Sequence, residues 1–162
     1  MGNRRLYNRT GRSVTGAETV LAREDCQVCL GFGRTRGGEV CACVDRKAFT
    51  DVMDRADKIG ESQRASGPIL RQGRYSRPPE EFLADVIATA RKTLTADQFA
   101  VFDLHHLKKF TWHACSRILG FRDRGVFFHE LYRVQAILGS AFRDAALHPV
   151  RDYLSLTTTG SQ

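Results

Sequence analysis

The 162-residue sequence predicts a mainly α-helical fold, with a three- to four-helix C-terminal domain and a small N-terminal cysteine-rich β-hairpin followed by a helix. Three observations predict it. From position 44 onward, apolar residues recur at steps of three and four, the period of a helix with one buried face. Four of the five cysteines are confined to positions 26–43, in a glycine-rich stretch. Between positions 61 and 78, Gly, Ser, Pro and Arg are mixed without periodicity, which marks a linker between two units.

The expected order is a basic flexible arm over 1–22, a cysteine hairpin and helix over 23–60, the linker over 61–78, a helical domain over 79–146 and an irregular tail over 147–162. The arm carries Arg4, Arg5, Arg9 and Arg12, and positions 1–17 contain no acid. Such a segment buries too little apolar surface to fold by itself. The whole chain carries 25 Lys plus Arg against 18 Asp plus Glu, a formal charge of +7, with a pI near 9.5. That balance favours a polyanionic partner, and nucleic acid is the foremost one. No apolar run approaches the ~20 residues needed to span a bilayer, so no membrane association is expected. The opening MGNRRLYNRTGRSVTG has no apolar signal core, and GNRRL lacks the Ser or Thr of a myristoylation signal. A cytoplasmic protein is expected.

Cys26-Gln-Val-Cys29 and Cys41-Ala-Cys43 flank LGFGRTRGGEV, whose Gly37-Gly38 suits a tight turn between two short strands. Two closely spaced cysteine pairs on turns present four thiolates to a tetrahedral ion with little chain strain. Gly31 and Gly33 follow the first pair, where a knuckle turns its backbone amides toward sulfur. Cys26, Cys29, Cys41 and Cys43 are therefore expected to hold a structural zinc, with no position open to catalytic water. A disulfide fits a reducing compartment poorly. A redox Cys-x-x-Cys normally opens a helix, which QVCLGFG does not favour. An iron–sulfur cluster uses the same four thiolates and stays open. The run CQVCLGFGR resembles half of a DnaJ-type cysteine-rich zinc ribbon, CxxCxGxG, from which the Cys-x-Cys pair departs. Cys115, on an apolar face, is expected to be a core residue.

After the hairpin, Val44, Phe49, Val52, Met53 and Ala56 share one face of a helix over 44–60, which Gly60 is expected to stop. Pro79 suits the first turn of the next helix, with Phe82, Leu83, Val86, Ile87 and Ala90 at helical spacing. Thr95-Ala-Asp-Gln98 has the pattern of a capping box and opens a third helix bearing Phe99, Val101, Phe102, Leu104 and Leu107. A fourth follows with Trp112, Cys115, Ile118 and Leu119 on one face, closed by Gly120 in a left-handed conformation. The turn Phe121-Arg122-Asp123 supplies Asp123 as an N-cap. The last helix buries Phe127, Leu131, Val134 and Leu138. The final two helices have the proportions of a helix-turn-helix.

The stretch from Leu94 to Leu138 is similar to the promoter-reading fourth conserved region of bacterial sigma factors, especially the extracytoplasmic-function group. The resemblance is carried by Leu104-His105-His106-Leu107, by the aromatic-led helix from Trp112 to Leu119-Gly120, by Arg124-Gly125 and by the stripe Phe127, Leu131, Val134 and Leu138. The turn FRD is one residue longer than usual. The resemblance implies a recognition helix at 124–138. Such a helix reads the major groove with its first two turns. The residues off its buried stripe are Arg122, Arg124, Val126, Phe128, His129, Tyr132 and Arg133, with Arg124 best placed for a guanine. Lys108, Lys109 and His113 are expected near phosphates.

The expected function is thus a sequence-specific, DNA-binding transcription regulator of activator or antiterminator type, reading double-stranded DNA. A complete sigma factor is not expected, because the other helical domains of that family have no counterpart. The pairing of a zinc element with such a helix-turn-helix resembles phage and prophage late-gene activators and antiterminators, which implies RNA polymerase as a candidate partner. The alternative is an adaptor of the transcription machinery that binds only protein. A third reading, single-strand or RNA binding by the arm and hairpin, has only Tyr7 and Phe32 for stacking. No enzyme is expected: His105, His106 and His113 have no nucleophile or carboxylate arranged beside them, and no phosphate-binding glycine loop occurs.

Overall fold

A computed structural model describes residues 20–66 and 79–148. Among these the secondary structure is helical: α1 (Ala42–Ser66), α2 (Pro79–Thr93), α3 (Ala96–Phe102), α4 (Trp112–Leu119) and α5 (Arg124–Asp144). The expected β-hairpin is reduced to an isolated antiparallel bridge between Arg34 and Val40. Its turn is nonetheless closed, with Gly38 N–H donating to the Thr35 carbonyl and Thr35 N–H to that of Glu39. The reason is length. The helix α1 begins at Ala42, directly after Cys41, which leaves few residues for a ladder. The arm is mostly outside the described residues, Tyr7 included, but Leu21 is buried against the cysteines.

Gly60 does not stop α1. The helix passes through it into the expected linker and reaches Ser66. Glycine tolerates helical φ and costs only about 1 kcal/mol there, which a long packed helix outweighs. Residues 67–78 of that linker lie outside the described residues. On either side of it, one core is continuous. Phe49, Val52, Met53, Ala56 and Ile59 of α1 pack with Phe82, Val86 and Ala90 of α2 and with Val134, Leu138 and Phe142 of α5. Each of the larger of these side chains, fully buried, contributes roughly 1.5–3 kcal/mol. The tail also begins inside the fold: Leu147 joins this core, and buried His148 places Nε2 3.0 Å from Asp51.

Local capping follows the sequence closely. Thr95 and Gln98 form a reciprocal capping box at α3. Thr111 caps α4, and Gly120 ends it at φ 77°, where only glycine is unstrained. Asp123 accepts from the Val126 N–H at 2.9 Å and opens α5. The segment after α3 departs from expectation: Asp103–Leu107 is a single π-helical turn, with Lys108 N–H donating to the Asp103 carbonyl. It rotates His106 inward onto Phe49, 4.7 Å away between ring centroids.

Burial lowers the His106 pKa to about 3, with His105 and Lys109 adding to the effect. The folded ring resists protonation, whereas the unfolded ring takes a proton near pH 6.5. Stability is therefore complete above about pH 6.5 and is lost as pH falls toward 3. His106→Gln is expected to flatten this acid limb by on the order of 2 kcal/mol, discounted for partial exposure, in denaturant titrations across that range. An unchanged limb would assign it to other groups.

Candidate functional site

The cysteine cluster is assembled from two kinds of local structure. In the first, Cys26 to Cys29 turn tightly, and the Leu30 N–H donates to the Cys26 carbonyl at 2.8 Å. Leu30, Gly31 and Gly33 then adopt positive φ values of 52°, 82° and 79°. The turn from Cys26 to Cys29 itself points the amides of Val28 and Cys29 at the Cys26 sulfur. Those two amides draw the Cys26 thiol down to about 6. In the second, Cys41 and Cys43 sit at the N-terminal edge and first turn of α1, where the helix dipole favours thiolate. Leu21, Val44 and Ala48 pack around them. Burial pushes Cys41 up and Cys43 to about 12. A cation placed among these sulfurs would reverse that preference, because a coordinating thiol is deprotonated by the metal itself.

The four sulfurs lie within 4.8 Å of one another. Cys26 and Cys41 are 3.8 Å apart and Cys29 and Cys43 3.6 Å, far beyond a disulfide bond. A tetrahedron with bonds of ~2.3 Å has edges of about 3.8 Å, close to the two measured separations, so the set could bind one metal ion. All four predicted ligands converge. Cys115 is buried elsewhere, between α3 and α5, as a core residue.

This centre is rigidly joined to α5. Asp45, two residues after Cys43, accepts from Arg143 at 2.8 Å and 3.2 Å. Burial raises the Asp45 pKa even though the Arg143 hydrogen bond opposes it. Beside this pair α5 carries Gly139, and a Cβ there would lie 1.7 Å from the Asp45 carbonyl oxygen. Sequence reading missed Asp45, Arg143 and Gly139, which lie some hundred positions apart in the chain with no local pattern to connect them.

The expected nucleic-acid residues divide into two groups. Arg122, Arg124, His129, Tyr132 and Arg133 are exposed on the turn or the outer side of α5, and His113 is exposed on α4. Phe127, Leu131, Val134 and Leu138 are buried beneath them, as the spacing requires. Phe128 is half-buried rather than outward, 5.3 Å from Phe127 and 6.0 Å from Tyr132, with the Arg124 guanidinium 5.3 Å over its ring. Lys108 and Lys109 are exposed but already paired, with Asp103 at 2.8 Å and with Asp57 of α1 at 2.7 Å. Lys109 has φ 59°, which turns it toward α1.

Ile118 corrects the expected inner face of α4: it is 58% exposed, while Trp112, Cys115 and Leu119 face the core. At 100° per residue it falls at the margin of that stripe. With Val126, 52% exposed, it leaves apolar surface near a cleft of about 660 Å³ lined by Asp97, Val101, Leu119, Phe121, Val126, His129 and Glu130. No described helix is long and apolar enough to cross a membrane. No protein-family model, curated protein or solved structure matches the chain.

Proposed function

We propose that the chain is a sequence-specific DNA-binding transcription regulator that reads duplex DNA with α5, and that its four cysteines hold a structural zinc. The observation carrying the first part is the two-sidedness of the N-terminal half of α5. Phe127, Leu131 and Val134 seat it, an Asp123 cap fixes its start, and Arg122, Arg124, His129, Tyr132 and Arg133 are exposed. A helix presented this way fits the major groove, and a net charge of +7 supports association with phosphate. Two acids on this helix and its cap have protein partners: Asp123 as the cap, and Glu130 3.7 Å from Arg133.

Zinc is favoured because sulfur separations of 3.6 Å and 3.8 Å match one ion. A cluster of several irons would spread its thiolates further around an inorganic core. Four thiolates complete the coordination, so the role is structural.

The test is selection of bound sequences from random duplex DNA, with and without RNA polymerase, followed by the variant Arg122→Ala/Arg124→Ala/Arg133→Ala. The variant should lose most affinity at low salt, since one bidentate base contact alone is worth ~1–3 kcal/mol. Affinity unchanged by the triple substitution would instead favour the adaptor reading. That reading has its own support in the cleft lined by Val101, Leu119, Phe121 and Val126.

A further inference from the structure

We infer that α1 shares in the DNA-binding face through Arg46, so that the cysteine-bearing helix and α5 contact the same duplex; this rests on the DNA-reading proposal above. Arg46 stands one turn after Cys43. Its guanidinium lies 5.5 Å over the ring of Tyr132, on the outward side of α5. Tyr132 is 48% exposed and 6.0 Å from Phe128, and Phe128 carries Arg124 at 5.3 Å. Arg124 also lies 5.8 Å from Trp112 of α4. Rings and guanidinium groups therefore run without a break from α1 across α5 to α4.

The spacing along this run fits a duplex. From position 124 to position 132 a helix advances about 12 Å, close to the ~12 Å width of the major groove. With Arg124 at base edges, Tyr132 and Arg46 come to the far wall of the groove, where the phosphates lie. The neighbouring carboxylates do not compete for Arg46: Asp45 is bound to Arg143 and Asp51 to Lys47 and His148. Its own partner is a ring, which consumes none of its N–H donors and leaves them for a phosphate. Arg46 is thus a sequence-independent positioning contact. It is delivered by a helix whose first turn is held at Cys41 and Cys43.

The experiment compares Arg46→Ala, Arg46→Lys and Arg124→Ala in the full chain, by fluorescence titration of a random-sequence duplex and of a selected duplex over a salt series. Helicity and metal content confirm that each variant is folded. Arg46→Ala should weaken both duplexes alike, by about tenfold, with a log–log salt slope shallower by about 0.9, the value of one phosphate. Arg46→Lys should restore that slope, since charge suffices for a phosphate. Arg124→Ala should weaken the selected duplex more than the random one. If Arg124→Ala has its effect while Arg46→Ala leaves both slopes unchanged, the Arg46 contact is overturned and the α5 reading stands. If neither substitution alters duplex binding, both fall.

Discussion

Gly139→Ala is expected to cost about 3 kcal/mol or more and to shift the first turn of α1. The added methyl would sit 1.7 Å from the Asp45 carbonyl oxygen and 2.4 Å from its carbon. Backbone atoms cannot swing away as a side-chain end can, so helix must move against helix. Overpacking of this kind costs typically 1–3 kcal/mol, and more where the obstacle is backbone. The movement also strains the Asp45–Arg143 pair and the positions of Cys41 and Cys43, so metal affinity should fall with stability. Gly60→Ala is the control. Gly60 lies inside α1 with open space where its Cβ would be, and alanine there should stabilise by ~0.5–1 kcal/mol. Equal melting temperatures for the two variants would show that α1 and α5 do not meet closely at Gly139.

Removing the proposed metal should have the second large effect, and it should reach well beyond the cysteines. Structural zinc in small modules contributes about 10–16 kcal/mol of apparent binding free energy, comparable to a whole domain's stability of ~5–15 kcal/mol. Chelation, or Cys26→Ser or Cys43→Ser, should release one metal equivalent per chain and loosen residues 24–45. Amide exchange should then quicken not only there but also at 139–143, because Asp45 packs against Gly139 and pairs with Arg143. Most helicity should remain, since Phe49, Val52, Phe82, Val134 and Leu138 stay packed. Equal metal content in mutant and wild type would exclude the four-sulfur site. Metal loss with unchanged exchange at 139–143 would instead make the cysteine module a passive appendage.

The cysteine ligands and the helical stripe illustrate how much of the candidate sites is local chemistry. Cys-x-x-Cys and Cys-x-Cys lie so close in sequence that the intervening chain can scarcely avoid bringing the sulfurs together. The register of α5 is likewise a matter of period, so Phe127, Leu131, Val134 and Leu138 followed from spacing alone. Caps at Thr95, Gly120 and Asp123 depend on neighbours three residues away or on a single φ angle.

Those features were determined by the sequence itself, because each depends on interactions within a few residues. The tertiary structure decided the rest. It continued α1 past Gly60, since burial along a long helix outweighs one glycine. It turned Lys109 to Asp57 and Phe128 half inward, choices set by which helix lay opposite. It placed Asp45 against Gly139 and Arg143, and Arg46 over Tyr132. Contacts of that kind join residues nearly a hundred positions apart, and no periodicity records them. They exist because α1 and α5 bury a common apolar seam, and that seam ties the cysteine cluster to the helix proposed to read DNA.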